Sequence, residues 1–348
     1  MHIPDRAIPI DSTVVVVGAN GYIAVETCEK LLQAGHRVRG TVRNVDRHRS
    51  WMHALFDVKW PDKFELVQVA DFEEEGAFEE AFKGASGVIY PSMPVIFDAD
   101  PTKVVDPLIR GVVNALQAAA RAGVQRFVVS SSSKAVRSTI YNEPYDIRVD
   151  TFNHQAIQQV RDGLVDASFE RKLAVYSAGR TLAEQAFWGW VKSNNPPFVA
   201  NCIVPDGQFG RVLDVNNLNT GPTSSTGQLI RALRGEWEGV GLDLAFITDV
   251  QDTARLLVAT VASRSIENER IFSYYVNRTW NDLRHKVREL LPDRPELVTG
   301  GDQGRLGRDV SAAPGPIARA EEILRTIGQA GFTNEDQIVR DFVNSVFP

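Results

Sequence analysis

Tyr176 and Arg180 stand four residues apart in a segment, residues 176–186, whose pattern predicts a helix, and side chains at this spacing lie on one helix face. Upstream, a predicted strand ends in four consecutive serines, residues 130–133. A phenol that gives up a proton, a cation that stabilises the phenolate and a hydroxyl that orients a carbonyl can together protonate a developing alkoxide. The candidate catalytic residues are therefore Tyr176, Arg180 and one serine of this run.

Each of these side chains also has a purely structural interpretation. Tyr176 could be a half-buried packing residue of an amphipathic helix, with its hydroxyl at the surface. Ser132 could cap the end of its strand, and four consecutive serines leave open which hydroxyl faces the site.

A turn that contains two glycines follows the first predicted strand. Residues 13–17 run into the sequence G-A-N-G-Y-I-A at 18–24, and a helix follows. Gly18 permits a tight turn, Gly21 lets the backbone approach a pyrophosphate, and the free amides of the helix start attract its negative charge. The alternative is an ordinary strand-to-helix turn. The cofactor contacts predicted here are Gly18, Asn20, Gly21, Tyr22 and Ile23.

The tip of the second predicted strand is basic. Arg43 follows residues 37–42, Arg47 and Arg49 come just beyond, and no acidic residue stands at the tip. An NAD site usually places Asp or Glu there for the ribose 2′-hydroxyl, whereas arginine accommodates a 2′-phosphate. NADP(H) is therefore the predicted cofactor, unless Arg43 is simply a solvated strand-end residue. Asp71, after the third strand, could bind the adenine amino group or cap the following turn.

Short β-branched runs alternate with segments of helical periodicity over the first two-thirds of the chain. The predicted strands are residues 13–17, 37–42, 64–69, 87–90, 126–130 and 198–204. This order predicts an α/β fold with a Rossmann-type doubly wound parallel sheet. We assign residues 1–205, with a returning segment around 240–275, to an NADP(H)-binding domain. The remaining residues, 206–239 and 276–348, are assigned to a smaller C-terminal substrate-binding lobe in which 300–315 is predicted as an exposed loop.

The composition excludes several classes of protein. A net charge of -6 without a long basic run argues against nucleic-acid binding. Cys28, Cys202 and the six histidines show no metal-type spacing, so no metal site or disulfide framework is predicted. The apolar run at 14–17 is too short for a membrane span or a signal peptide, which predicts a cytoplasmic protein without membrane contact. We expect a small-molecule substrate and a monomer or homodimer.

These motifs together resemble the extended short-chain dehydrogenases/reductases, in the branch of dihydroflavonol reductases and aldehyde (carbonyl) reductases. The resemblance covers nearly the whole chain. It rests on the turn at 18–24, V-R-G-T-V-R at 38–43, R-F-V-V-S-S-S at 126–132, Y-S-A-G-R-T-L-A-E-Q-A at 176–186, V-P at 204–205 and I-T-D-V-Q-D at 247–252. The catalytic roles that it implies fall on Ser132, Tyr176 and residue 180. The cofactor contacts that it implies are Gly18, Gly21 and Arg43, with Pro205 beside the nicotinamide.

The chain departs from the family pattern at two places. Family members carry lysine at the last position of Tyr-x-x-x-Lys, where it binds the nicotinamide ribose and joins a proton relay. Arg180 keeps the positive charge, but a guanidinium does not release a proton. After the fourth strand, where the family has histidine and small residues beside the cofactor, this chain has the bulkier Tyr90-Pro91-Ser92-Met93-Pro94. Tyr90 is predicted to contact the cofactor there.

The sequence favours NADPH-dependent reduction of an aldehyde or ketone of a small, largely apolar metabolite, with Tyr176 as the proton donor. The residues predicted to line the substrate pocket are Met93, Val95, Phe97, Ser133, Gln208 and Phe209. Arg180 and the stretch 90–93 leave open a non-redox isomerase, cyclase or dehydratase of a specialised metabolite on the same scaffold. A third hypothesis is a regulatory protein that senses NADP(H).

Overall fold

The computed structural model describes residues 1–91, 93–163, 166–217, 221, 224–241, 243–304 and 307–348. The strands are β1 (Thr13–Val16), β2 (Arg37–Val42), β3 (Phe64–Gln68), β4 (Gly87–Tyr90), β5 (Arg126–Ser130), β6 (Val199–Pro205), β7 (Gly207–Phe209), β8 (Phe246–Asp249), β9 (Arg270–Ser273) and β10 (Val276–Asn277). The helices are α1 (Tyr22–Gln33), α2 (Val45–Phe56), α3 (Glu79–Phe82), α4 (Val105–Arg121), α5 (His154–Asp162), α6 (Phe169–Asn194), α7 (Ser225–Arg231), α8 (Val250–Ala262), α9 (Trp280–Leu290), α10 (Pro314–Thr326) and α11 (Glu335–Val346).

Within these residues, seven strands form one sheet in the order β3-β2-β1-β4-β5-β6-β9, and each neighbouring pair is parallel. The strand order reverses between β1 and β4. In such sheets ligands bind at the carboxyl ends of the strands beside this reversal. The prediction of a doubly wound parallel sheet is confirmed.

The sheet is buried on both faces, which explains its β-branched strands. In β1, Val14 and Val16 pack with α1 and α8, whereas Val15 and Val17 belong to the core on the side of α4 and α6. This alternation follows from the two-residue repeat of a strand. The two helix layers thus fix the strand ends at which the candidate residues stand.

Most predicted elements are present, with shifted ends. Helix α1 begins at Tyr22, inside the predicted turn at 18–24, because the turn closes at once: Gly21 N donates to Gly18 O at 3.0 Å. Helix α3 has only four residues.

The chain after β6 builds a second, smaller sheet. Strands β7 and β8 pair in parallel, and β10 pairs with β8 in the antiparallel sense. Strand β9 instead joins the large sheet beside β6, and α10 packs against it. The prediction of an exposed loop at 300–315 is wrong for its second half. Asp309 and Ala312 form bridges to residues 141 and 146, and Asp309, Ser311 and Ala313 are buried.

Among the helices of the described residues, none combines the length and the apolar character needed to cross a membrane.

Candidate active site

The turn between β1 and α1 has the shape of a diphosphate site. Gly18 adopts a φ of 67°, in the left-handed region that favours glycine. No side chain caps the start of α1, so its first amides remain available to an anion. A Cβ placed on Gly18 would meet no other heavy atom of the protein within 4 Å, so the space beside the turn is open.

The remaining residues of the turn hold it in place. Tyr22 donates its hydroxyl to Gly210 O at 2.9 Å, and burial raises the pKa of this phenol well above its usual range. Asn20 and Ile23 are half-buried. Gly40 in β2 permits the turn to lie close, since a Cβ there would stand 2.7 Å from the Cβ of Ala19. The residues present therefore fit a dinucleotide.

The tip of β2 carries exposed positive charge. Arg43 follows the last residue of β2, and both Arg43 and Arg47 are exposed. Burial, and then the charges of Arg47 and Arg43, lower the pKa of His48. Asp71 is exposed and its Oδ1 accepts from Glu73 N at 2.9 Å, so it caps the turn after β3, the alternative that the sequence left open.

The four serines at the end of β5 differ in their hydrogen bonds. Ser131 donates to Glu184 Oε2 at 2.5 Å and Ser133 donates to Asp206 Oδ1 at 2.6 Å. Ser130 Oγ is buried without a partner among the described residues. Ser132 is half-buried, and its Oγ accepts from Lys134 N at 3.2 Å, so its proton is uncommitted in the described chain. Ser132 thus caps the following turn and can still donate to a ligand.

Tyr176 lies in α6, which packs against the short turn at 133–135 that follows Ser132. The ring is half-buried, and its centre lies 6.3 Å from the ring centre of Phe97. Phe97 in turn lies 5.5 Å from Phe169, so aromatic rings border the phenol on this side.

Arg180 is buried and bound to the chain that follows β4. Its Nη2 donates to Met93 O at 3.0 Å and to Pro94 O at 3.1 Å, and its Nε has no partner among the described residues. The guanidinium carbon lies 4.9 Å from the centre of the Tyr176 ring. Arg180 therefore places its charge beside Tyr176 while it braces the backbone of residues 93–94.

The other predicted residues are divided between the cleft and the core. Pro205 ends β6 at the carboxyl edge of the sheet, and Val95 is exposed. The ring of Tyr90 is buried against Phe78. Ser92 lies outside the described residues.

Two predicted pocket residues, Gln208 and Phe209, are buried. The Phe209 ring lies edge-on to Trp280 and Phe342 in the core. Gln208 Oε1 accepts from Thr253 Oγ1 at 2.6 Å, and its Nε2 has no partner among the described residues.

Sequence reasoning missed two carboxylates that contact the serine run. Asp206 accepts from Ser133 and from Phe246 N, and burial raises its pKa. Glu184 is fully buried and accepts from Ser131. Glu184 stands inside the motif at 176–186, but nothing in its local pattern distinguishes a buried acid from a solvated one.

A recess of about 200 Å³ opens elsewhere on α6, against α4 and α5, and its lining includes Val105, Ile157 and Ala178. Ala178 lies two residues beyond Tyr176, and residues at that spacing point to nearly opposite sides of a helix. The recess is therefore separate from the candidate active site.

The family model described as NAD(P)H-binding matches residues 18–165. This stretch contains the turn, the tip of β2 and the serine run. The prediction of a nicotinamide dinucleotide as the cofactor is thereby confirmed.

Two curated relatives match nearly end to end. The chain is 30% identical to aldehyde reductase 2 of Sporidiobolus salmonicolor, over 99% of this chain and 98% of that protein. It is 32% identical to the ketoreductase adrE of Penicillium roqueforti, over 94% of each chain.

Among solved structures, the yeast methylglyoxal/isovaleraldehyde reductase Gre2 complexed with NADPH has a similar fold. Its TM-score is 0.78 at 19% identity, over 96% of this chain and 98% of that one. Together with the glycine turn and the Tyr176 helix, these matches confirm the expected family. The chain belongs to the extended short-chain dehydrogenases/reductases, a family of NAD(P)-dependent oxidoreductases, in the branch of dihydroflavonol and carbonyl reductases.

Proposed function

We propose that the protein reduces an aldehyde or ketone of a small, largely apolar metabolite with NADPH, and that Tyr176 donates the proton. The observation that carries this proposal is that the serines of the run differ in their hydrogen bonds. Of the hydroxyls at 131–133, only that of Ser132 keeps its proton uncommitted in the described chain, and α6, the helix that carries Tyr176, packs against the turn that follows Ser132. The names of the reductase relatives support the reaction type.

The cofactor contacts follow from the charges and the free backbone groups. The amides at the start of α1 would hold the diphosphate, and Gly18 and Gly21 would let it approach the backbone. Arg43 and Arg47 would bind the 2′-phosphate, because a guanidinium forms charge-assisted hydrogen bonds with phosphate. When bound, NADPH supplies the hydride that reduces the carbonyl carbon.

The remaining steps belong to side chains of the protein. Ser132 donates a hydrogen bond to the carbonyl oxygen and orients it. Tyr176 transfers its phenolic proton to that oxygen as negative charge develops, so that an alcohol is the product. The guanidinium of Arg180 lies 4.9 Å from the ring centre, on the side of residues 93–94 that it binds. Arginine does not pass on a proton, so the phenolate regains its proton from water.

The surroundings of Tyr176 support an apolar substrate. Phe97 lies beside the phenol, Phe169 packs against Phe97, and Phe169 keeps 41% of its surface exposed. Exposed apolar side chains next to a reactive group are typical of a ligand-binding surface.

The test is to incubate the purified protein with NADPH and a panel of aromatic and aliphatic aldehydes and ketones, and to follow the absorbance of the reduced cofactor. Tyr176→Phe keeps the ring and removes the acid, so we expect turnover to fall by about 100- to 10,000-fold with NADPH binding retained. Tyr145→Phe, at a tyrosine 40% exposed on the surface, is the matched control.

Other outcomes would favour the rival functions. A product formed without change in the redox state of the cofactor would favour the isomerase, cyclase or dehydratase. Tight NADPH binding with no turnover on any carbonyl would overturn the reductase and favour the sensor.

A further inference from the structure

A buried carboxylate connects the two elements that carry the proposed catalytic groups. We propose that Glu184, held by Arg270, is a positioning residue that sets Ser132 and Tyr176 at the separation needed for proton donation. This inference rests on the proposed function and deepens it. Glu184 and Arg270 do not touch the reacting atoms themselves.

The side chain of Glu184 is fully buried and completely engaged. Oε2 accepts from Ser131 Oγ at 2.5 Å and from Arg270 Nη2 at 3.1 Å. Oε1 accepts from Arg270 Nε at 2.6 Å and from Trp188 Nε1 at 3.3 Å. The Arg270 side chain keeps only 7% of its surface exposed. A buried ion pair adds little stability over packed apolar residues, so its geometry is the more informative property.

Glu184 is tied to Tyr176 through the helix. It lies two turns beyond Tyr176 on α6, and a continuous α-helix fixes the rise between them. The position of the Glu184 carboxylate along the sheet therefore determines how far α6 carries the phenol.

Glu184 is tied to Ser132 through the preceding serine. Ser131 binds the carboxylate with its hydroxyl, and its amide donates to Ile203 O of β6 at 2.8 Å. With both groups of Ser131 fixed, the backbone that leads into Ser132 has little freedom.

Arg270 extends the connection to the other side of the catalytic turn. Its Nη1 donates to Val149 O and Thr151 O at 2.9 and 2.6 Å. The chain then reaches Asn153, whose Nδ2 donates to Lys134 O at 2.9 Å. The turn after Ser132 is thus held from both β9 and the start of α5.

The test compares two neighbouring serines. Ser131→Ala removes one bond to Glu184, whereas Ser130→Ala removes a buried hydroxyl that has no partner among the described residues. We expect Ser131→Ala to lower kcat by about 10- to 100-fold, as a small misplacement of reacting groups does. KM for NADPH should stay unchanged, and the isotope effect of NADPH deuterated at the transferred position should rise. Ser130→Ala should match the wild type in all three quantities.

A second variant keeps the inference testable at the carboxylate itself. In Glu184→Gln an amide NH2 group replaces one accepting oxygen and faces either the Ser131 hydroxyl or Arg270, both of which are donors. We therefore expect kcat to fall and KM for NADPH to stay unchanged. If this variant does not fold, Ser131→Ala decides alone. Two results with an active wild type would overturn this inference only. In the first, Ser131→Ala leaves kcat and the isotope effect unchanged; in the second, Ser130→Ala changes both as much as Ser131→Ala does. A wild type inert toward every carbonyl overturns the proposed function as well.

Discussion

The guanidinium carbon of Arg180 lies 4.9 Å from the centre of the Tyr176 ring, and the same group donates two hydrogen bonds to the backbone of residues 93–94. The lysine of the family pattern serves the cofactor ribose. In this chain the arginine joins α6 to the segment that carries Phe97. The charge of Arg180 therefore lies beside Tyr176, whereas its hydrogen bonds hold residues 93–94.

The first prediction concerns Arg180→Lys. On charge alone this change would be harmless or beneficial, because an ammonium can restore the ribose hydrogen bond and the proton relay. Lysine is the shorter side chain, so its amine would not reach both carbonyls that Nη2 of Arg180 binds, and residues 93–97 should loosen. We expect KM for the carbonyl to rise about tenfold, the loss of roughly one charged hydrogen bond, with the Kd of NADPH unchanged.

Steady-state kinetics with fluorescence titration of NADPH measures this outcome. Arg161→Lys makes the same substitution at an exposed position on α5 and is the control. A lysine variant with wild-type KM would show that the bonds to residues 93–94 do not shape the substrate site.

The second prediction concerns the choice of cofactor. Arg43→Ala removes an exposed guanidinium at the tip of β2. We expect affinity for NADPH to fall by about 10- to 100-fold, the value of one or two charged hydrogen bonds, while affinity for NADH stays the same. Titration of both cofactors measures the ratio, and Arg340→Ala on the surface of α11 is the control. Equal losses for NADPH and NADH would place the 2′-phosphate elsewhere.

The third prediction concerns Asp249, which is buried at the start of α8. Its Oδ1 accepts from Gln251 N at 2.7 Å, and its Oδ2 has no partner among the described residues. Burial, and then the charge of Asp252, raise the pKa of Asp249 to about 7 from 3.8. Folding therefore takes up a proton between these values. The stabilising contribution is complete below the ordinary pKa and is lost as the pH rises through about 7.

Asp249→Asn should remove this pH dependence and keep the cap on α8. We expect the variant to gain about 1 kcal/mol or more over the wild type at about pH 8, a rise in Tm of about 2 °C or more, and to gain nothing at about pH 4. Thermal unfolding across this range measures the effect, with the exposed Asp150→Asn as control. Parallel stability curves for wild type and Asp249→Asn would contradict the raised pKa.

The sequence by itself determined the fold and the two motifs that define the family. β-branched runs separated by helical segments specify a parallel sheet, because each signal is local and depends on burial on both faces. The turn at 18–24 and the spacing of Tyr176 and Arg180 are equally local. Backbone geometry alone therefore places them at a strand end and on one helix face.

Contacts between distant segments were decided only by the tertiary structure. Four serines are chemically alike. Bonds to Glu184 of α6 and to Asp206, just after β6, distinguish Ser131 and Ser133 from Ser132, and complete burial distinguishes Ser130. Arg180 donates to the carbonyls of Met93 and Pro94, which precede it in the sequence by 87 and 86 positions. Phe209 is an apolar side chain that the sequence predicts to line the substrate pocket, but its ring packs against Trp280 of α9. Local periodicity does not encode which distant groups a side chain meets, because that depends on how the finished elements pack.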